Sequence, residues 1–154
     1  MATVILNLTQ HGSTAEQKAQ GVIDLPPEFK EKLRELLTFQ ELPDCKEVKS
    51  RASGIRDLVI EFTKSPLSPI KEEVEGMLDE NGIVDESEFR KLGLGFMIGG
   101  APFLMGPLAD ELRNLGKVMF AFSKREVVEV ANPDGSVTKK SIFKHAGFVP
   151  ACLE

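Results

Sequence analysis

The sequence predicts a three-layer α/β domain with a short, mostly parallel sheet, a helical insertion and a C-terminal β-hairpin. Three observations carry this reading. A β-branched, apolar strand at residues 3–9 runs into a polar turn and a helix start. A second strand, turn and helix occupy residues 96–115, inside a stretch (92–109) that has no charged side chain although 28% of the chain is charged. A further apolar strand at 117–123 follows directly, and a strand, helix, strand connection of this length is a right-handed parallel crossover.

Each element has its own signal. Residues 3–9 (TVILNLT) are apolar on nearly both faces, which suits an interior strand. Gln10, His11 and Gly12 end it, and Ser13-Thr14-Ala15-Glu16 has capping-box spacing for a short helix to about Gln20. Residues 21–25 (GVIDL) form a short strand stopped by Pro26-Pro27. Phe29, Leu33, Leu36 and Leu37 mark a helix over 27–38, and a longer one begins at Asp44, with Glu47 at capping-box spacing. Its stripe of Cys45, Val48, Ala52, Ile55, Val59 and Phe62 is a core face or, in the alternative, a dimer seam. Pro66 and Pro69 break the chain before a charged helix over 70–78. The acidic residues of 79–88 lack the Asp-x-Asp-x-Asp-Gly series of a calcium loop and read as a solvated connector. Residues 26–91 thus form a helical insertion within one domain, 1–154.

The uncharged stretch has the length of a membrane span, but its five glycines and two prolines exclude a continuous helix. Phe96, Met97 and Ile98 make a strand and Gly99, Gly100 and Ala101 a turn. Pro102 takes an early helix position, where its missing N–H is no loss. Leu104, Leu108, Leu112 and Leu115 line one helical face, and Gly116 stops it. At the end, 124–148 is a hairpin around Asn132-Pro133-Asp134-Gly135; with Asp134-Gly135 as a two-residue turn, Glu129 falls opposite Lys140. The segment from His145 to Phe148 packs back on the sheet.

Composition narrows the function. A net charge of −5 and a pI near 5.2 argue against duplex nucleic acid and acidic membranes as partners. Ten Phe with neither Trp nor Tyr leaves few base-stacking side chains. Cys45 and Cys152 are too few and too scattered for a metal cluster or a disulfide framework. The N-terminus has no basic region followed by a cleavage site, so a cytoplasmic protein is expected. Nothing in the sequence calls for a cofactor.

Ligands of open α/β sheets bind outside the carboxyl ends of the strands, which here are the two glycine-containing turns. The Gly99–Gly100 turn before a helix lets a ligand approach the backbone and meet free N–H groups, with Ala101 and Pro102 opening the helix. A small anionic ligand, above all a phosphate, is the natural guest. It is neither a P-loop nor a dinucleotide fingerprint. Asn7, Thr9, Gln10, His11 and Ser13 place polar side chains at the first strand end, able to hold a sugar, base or phosphate. His11 is a candidate acid or base, or a loop histidine capping the next helix; Asn7 is a ligand residue or a bond to neighbouring backbone. Ser123 and Arg125 end the third long strand, where Arg125 could grip a phosphate bidentately or serve as a solvated hairpin residue. His145 reaches this edge only if the hairpin folds over it. No catalytic triad or metal-ligand cluster is present in the sequence.

The segments VILNLTQHGSTAEQ and GGAPFLMGPLADELRNLG, with the strand after them, resemble the small CRISPR-associated ring nucleases, Rossmann-like relatives of the domains that sense cyclic oligoadenylates. The segments AFSKREVVEV, DGSV and FKHAGF are similar to uncharacterised prokaryotic proteins. The first resemblance implies a homodimer that lays a cyclic oligoadenylate across its paired sheet edges and cuts it without metal, a ribose 2′-hydroxyl attacking the adjacent phosphate. It puts Gln10 and His11 in the turn after the first strand and Gly99, Gly100, Ala101 and Pro102 in the phosphate-facing turn. The turn N–H groups and Arg125 would then stabilise the phosphorane, and His11 would assist proton transfer. The helical insertion departs from that family. A different class of function is also open: a non-catalytic domain recruiting a partner through the helical stripe or the hairpin.

Overall fold

The computed structural model describes residues 4–152. Thr3, at the start of the expected first strand, lies outside them. Eleven elements follow in order: β1 (Ile5–Leu8), α1 (Ala15–Ala19), β2 (Val22–Asp24), α2 (Pro27–Leu37), α3 (Cys45–Lys64), α4 (Lys71–Glu75), α5 (Glu86–Arg90), β3 (Gly95–Ile98), α6 (Pro102–Leu112), β4 (Lys117–Ala131) and β5 (Val137–Pro150). The strands form a five-stranded sheet in the order β2-β1-β3-β4-β5. β1 pairs in parallel with β2 and β3, and β3 with β4; only β5 is antiparallel. The fold is therefore a Rossmann-like α/β sheet with a C-terminal antiparallel pair.

Alternation along the strands sorts the core into two layers. Leu6, Leu8, Phe96, Ile98 and Val118 face one side, where they pack with the buried stripes of α2, α3 and α6. Ile5, Val22, Met97 and Met119 face the other, with Phe148 of β5 against them. That second side carries the short helix α1, which touches both β2 and β5. The stripe of α3 is core: Val48, Ala52, Ile55, Leu58, Val59 and Phe62 are buried, and Phe62 meets the Phe29 ring edge-on at 5.5 Å. Cys45 at its start is exposed, so the stripe begins at Val48. A dimer seam on this face is thereby ruled out.

The uncharged stretch is β3, a turn and α6, as its glycines and prolines required. No helix among the described residues is long and apolar enough to cross a membrane. Gly116 ends the α6 region where a Cβ would stand 2.4 Å from the Leu94 carbonyl oxygen, so this contact between backbones admits only glycine.

Three expectations need correction. The cap of α1 is Thr14, not Ser13: Thr14 Oγ1 accepts from Gln17 N at 3.1 Å while Gln17 Oε1 accepts from Thr14 N at 3.0 Å. The box is shifted by one residue because the Ser13 N–H is used elsewhere, on Asp24. The hairpin is not separate from the third long strand; β4 runs unbroken from Lys117 to Ala131 as its first arm. Its turn is one residue longer than expected, with Asn132 N donating to Ser136 O at 2.8 Å and Gly135 N to Asn132 O at 3.0 Å. Pro133 presets the first turn position and Gly135 takes φ 87°, the arrangement of a type I turn closed by a left-handed residue. Glu129 consequently pairs with Lys139, and Val128 takes Lys140.

Candidate functional site

The strand order places a reversal at the β1/β3 pair. From β1 the chain goes outward through α1 to β2; after the helical insertion it returns on the opposite side of β1, as β3, and continues outward through α6 to β4. The connections leave β1 and β3 toward opposite faces of the sheet, and a crevice opens between them at the strand ends. In register, Leu8 lies beside Ile98, so the next residues, Thr9 and Gly99, meet across the crevice. A cleft of about 550 Å³ sits there. Thr9, Gln10, His11, Gly12, Gly99 and Gly100 line it at the turns, with Met97, Ile98, Phe120 and Ala121 from β3 and β4 and Thr14 and Gln17 from α1.

The first turn is folded around Asn7. Its side chain, 4% exposed, accepts from Thr9 N (3.0 Å) and Thr9 Oγ1 (2.7 Å) through Oδ1. Through Nδ2 it donates to the His11 carbonyl (2.7 Å) and to Asp24 Oδ1 (2.8 Å). Asn7 therefore holds the turn and has no polar atom left for a ligand, matching the backbone-bonding alternative. Asp24, directly beside Asn7 in the β1–β2 ladder, also accepts from Ser13 N at 3.1 Å. Burial pushes the Asp24 carboxyl up, but the hydrogen bonds from Asn7 and Ser13, aided by the Lys30 charge, outweigh it and leave it below the usual carboxylate range. The result is a rigid loop that presents the side chains of Gln10 and His11 outward.

The second turn is shaped by its glycines. A Cβ on Gly99 would stand 3.3 Å from Thr9 Cγ2, and Gly100 has φ 147°, a conformation that side-chain-bearing residues rarely adopt. α6 then opens with Ala101 at its N-cap, without a side-chain cap, and Pro102 at its first position. Pro102 contributes no N–H and Leu104 N donates to the Ala101 carbonyl at 3.0 Å, so what this end of α6 offers beyond Gly100 is chiefly the positive end of its dipole.

A second recess of about 320 Å³ shares Thr9 and Gln10 with the cleft and is otherwise lined by Pro27, Lys30, Glu31 and Arg34 of α2. Arg34 is bound to Glu31 (2.6 Å), whereas Lys30 forms no ion pair among the described residues. Nothing in their local sequence singles out Lys30 or Asp24, because only the β1–β2 pairing and the docking of α2 bring them to the first turn. Of the expected residues, Thr9, Gln10, His11, Gly99 and Gly100 are gathered at the cleft. Ser13 is not in the lining and gives its N–H to Asp24, and Ala101 and Pro102 follow Gly100 in the chain without lining the cleft. Ser123 and Arg125 are not in the lining: they stand on the exposed hairpin, where Arg125 donates to Ser141 Oγ at 2.9 Å. His145 does not reach the cleft either; it is held by Gln20 Oε1 at 2.8 Å and its ring lies against Phe148. Among the described residues, no three His, Cys, Asp or Glu side chains cluster so as to hold a metal ion.

A larger open groove, about 810 Å³, lies along the α2–α3 connection. Its one buried-side cation, Arg51, already donates to the Glu35 and Thr38 carbonyls (2.7 and 2.8 Å) and lies over the Phe39 ring. A family model matches residues 3–149, nearly the entire chain. The chain belongs to the uncharacterized protein MJ1673 family. No curated protein and no solved structure matches it. The MJ1673 family match covers the β1 turn, the glycine turn and the hairpin together, so the cleft and the ribbon both fall within the family's common extent.

Proposed function

We propose that this chain binds a small anionic nucleotide in the cleft at the β1/β3 reversal, and that the ligand is a cyclic oligoadenylate cleaved there without metal. The observation that carries the reading is the Gly99–Gly100 turn: it lines the same cleft as His11 and leads directly into α6, so a glycine backbone and an exposed imidazole face one space. Met97, Ile98 and Phe120 give that space an apolar wall for a base. In-line attack by a 2′-hydroxyl needs alignment and stabilisation of negative charge more than it needs a strong nucleophile. The turn N–H groups and Lys30 meet the phosphate, and His11 takes or returns the proton. Arg125 of the same chain stands outside the cleft and has no part in this arrangement. The homodimer and the cytoplasmic setting belong to the same proposal.

The test is incubation of the purified chain with cyclic tri-, tetra- and hexa-adenylate in EDTA, with His11→Ala alongside. Linear products formed by the parent chain and lost in the variant are expected. Intact rings, with no rise in melting temperature on adding them, would refute the proposal. The second reading, a non-catalytic interaction domain, is favoured by one feature: Phe143 on the hairpin is 75% exposed. It predicts intact rings and an undisturbed His11 variant.

A further inference from the structure

Beyond Phe122 the β4–β5 ribbon leaves the rest of the molecule. β3 pairs with β4 only as far as Met97–Met119, while β4 and β5 stay paired out to Ala131–Val137. A two-stranded ribbon standing alone in water is marginal. This one also exposes Val127 (62%), Val137 and Phe143 on one face. Two long edges are open, and their charges differ. The β5 edge carries Lys139, Lys140 and Lys144, which repel another strand of the same kind. The β4 edge reads Lys124-Arg125-Glu126-Val127-Val128-Glu129-Val130, with charges of both signs.

Two copies of one strand that pair antiparallel about a two-fold axis always set one residue opposite its own copy, and residues equally spaced from it opposite each other. Centring on Lys124, Arg125, Glu126 or Glu129 would face a charge with itself. Centring on Val128 would leave Arg125 against Ala131 and Glu126 against Val130. Only centring on Val127 joins valine on valine to an Arg125–Glu129 pair on both sides, on the face that carries Val137 and Phe143; Glu126 and Lys124 then stand opposite Val128 and Val130 on the other face. We propose that two copies of this chain join along the outer edges of β4 in this register, making one continuous sheet. Arg125, Val127 and Glu129 share the ribbon face with Val137 and Phe143, so the apolar stripes of both copies run together there. The same sign pattern that fits a second copy mismatches an unrelated strand, which keeps so long an open edge from indiscriminate pairing. This inference stands without the ligand reading.

The test uses the full chain with Cys45 and Cys152 replaced by serine, carrying either Val127→Cys or Ala131→Cys; both positions are exposed. On mild oxidation Val127→Cys is expected to give a disulfide-linked dimer and Ala131→Cys none, since Ala131 faces Ser123 of the other copy. Sedimentation of the cysteine-intact chain is expected to give the mass of a dimer, lost in Arg125→Glu and regained in Arg125→Glu/Glu129→Arg. A monomer at every concentration, a dimer whose Val127→Cys form does not cross-link, or equal cross-linking at both positions would overturn the proposal.

Discussion

Asn7 satisfies three partners at once with a buried amide: the Thr9 turn, the His11 carbonyl and Asp24. Asn7→Ala strands those groups, and leaving buried polar groups unpaired costs about 2–4 kcal/mol in total; urea unfolding checks this. Asp24 adds a pH signature. Its folded pKa is depressed, so its contribution is present above the ordinary value of 3.8 and is lost as pH falls through the lower folded value. Stability should drop across that acid window in the parent chain, and the drop should be smaller in Asp24→Asn, measured by thermal unfolding at a series of pH values. The glycines separate cleanly. Gly116→Ala drives a methyl into the Leu94 carbonyl and is expected to yield no folded protein. Gly100→Ala meets open space beyond ordinary contact with Met105, so only its backbone conformation is strained, at about 1–3 kcal/mol. It should fold, with a lowered melting temperature.

The elements were legible where burial and local chemistry agree. Leu104, Leu108, Leu112 and Leu115 announce α6 although Gly106 and Pro107 lie within or beside that stripe, because all four leucines are buried and their burial outweighs the weak propensity. The α3 stripe was equally plain in the sequence, but whether it faced core or partner was not, since periodicity does not say what lies opposite. It faces core, and Phe62→Ala should therefore cost about 3–5 kcal/mol of stability, measured by denaturant unfolding, without altering any assembly. The hairpin was visible from Asn132 to Gly135, yet its register was not: Asp-Gly invites a two-residue turn, and the preceding Pro133, with the Asn132–Ser136 closure, selects the longer one. That single residue decides which of Lys139 and Lys140 opposes Glu129.

At the scale of the whole molecule, the cleft follows from strand order. Both turns could be found in the sequence, but that they face each other depends on β1 and β3 being neighbours, which requires the insertion to carry the chain back across β1. The same topology removes Arg125 from the cleft, since β4 outruns β3 and carries it onto the ribbon. It brings Lys30, delivered by α2 from within the insertion, to the recess that shares Thr9 and Gln10 with the cleft. On the function proposed above, an anionic nucleotide occupies the cleft at this reversal. The most direct measurement is an amide chemical-shift titration of the labelled chain with cyclic tetra-adenylate. Saturable shifts are expected, concentrated at Gly12, Gly99, Gly100, Ala101 and the Gln10–His11 turn. Absence of shifts, or shifts gathered instead along Phe39 to Asp44 in the α2–α3 groove, would contradict that function.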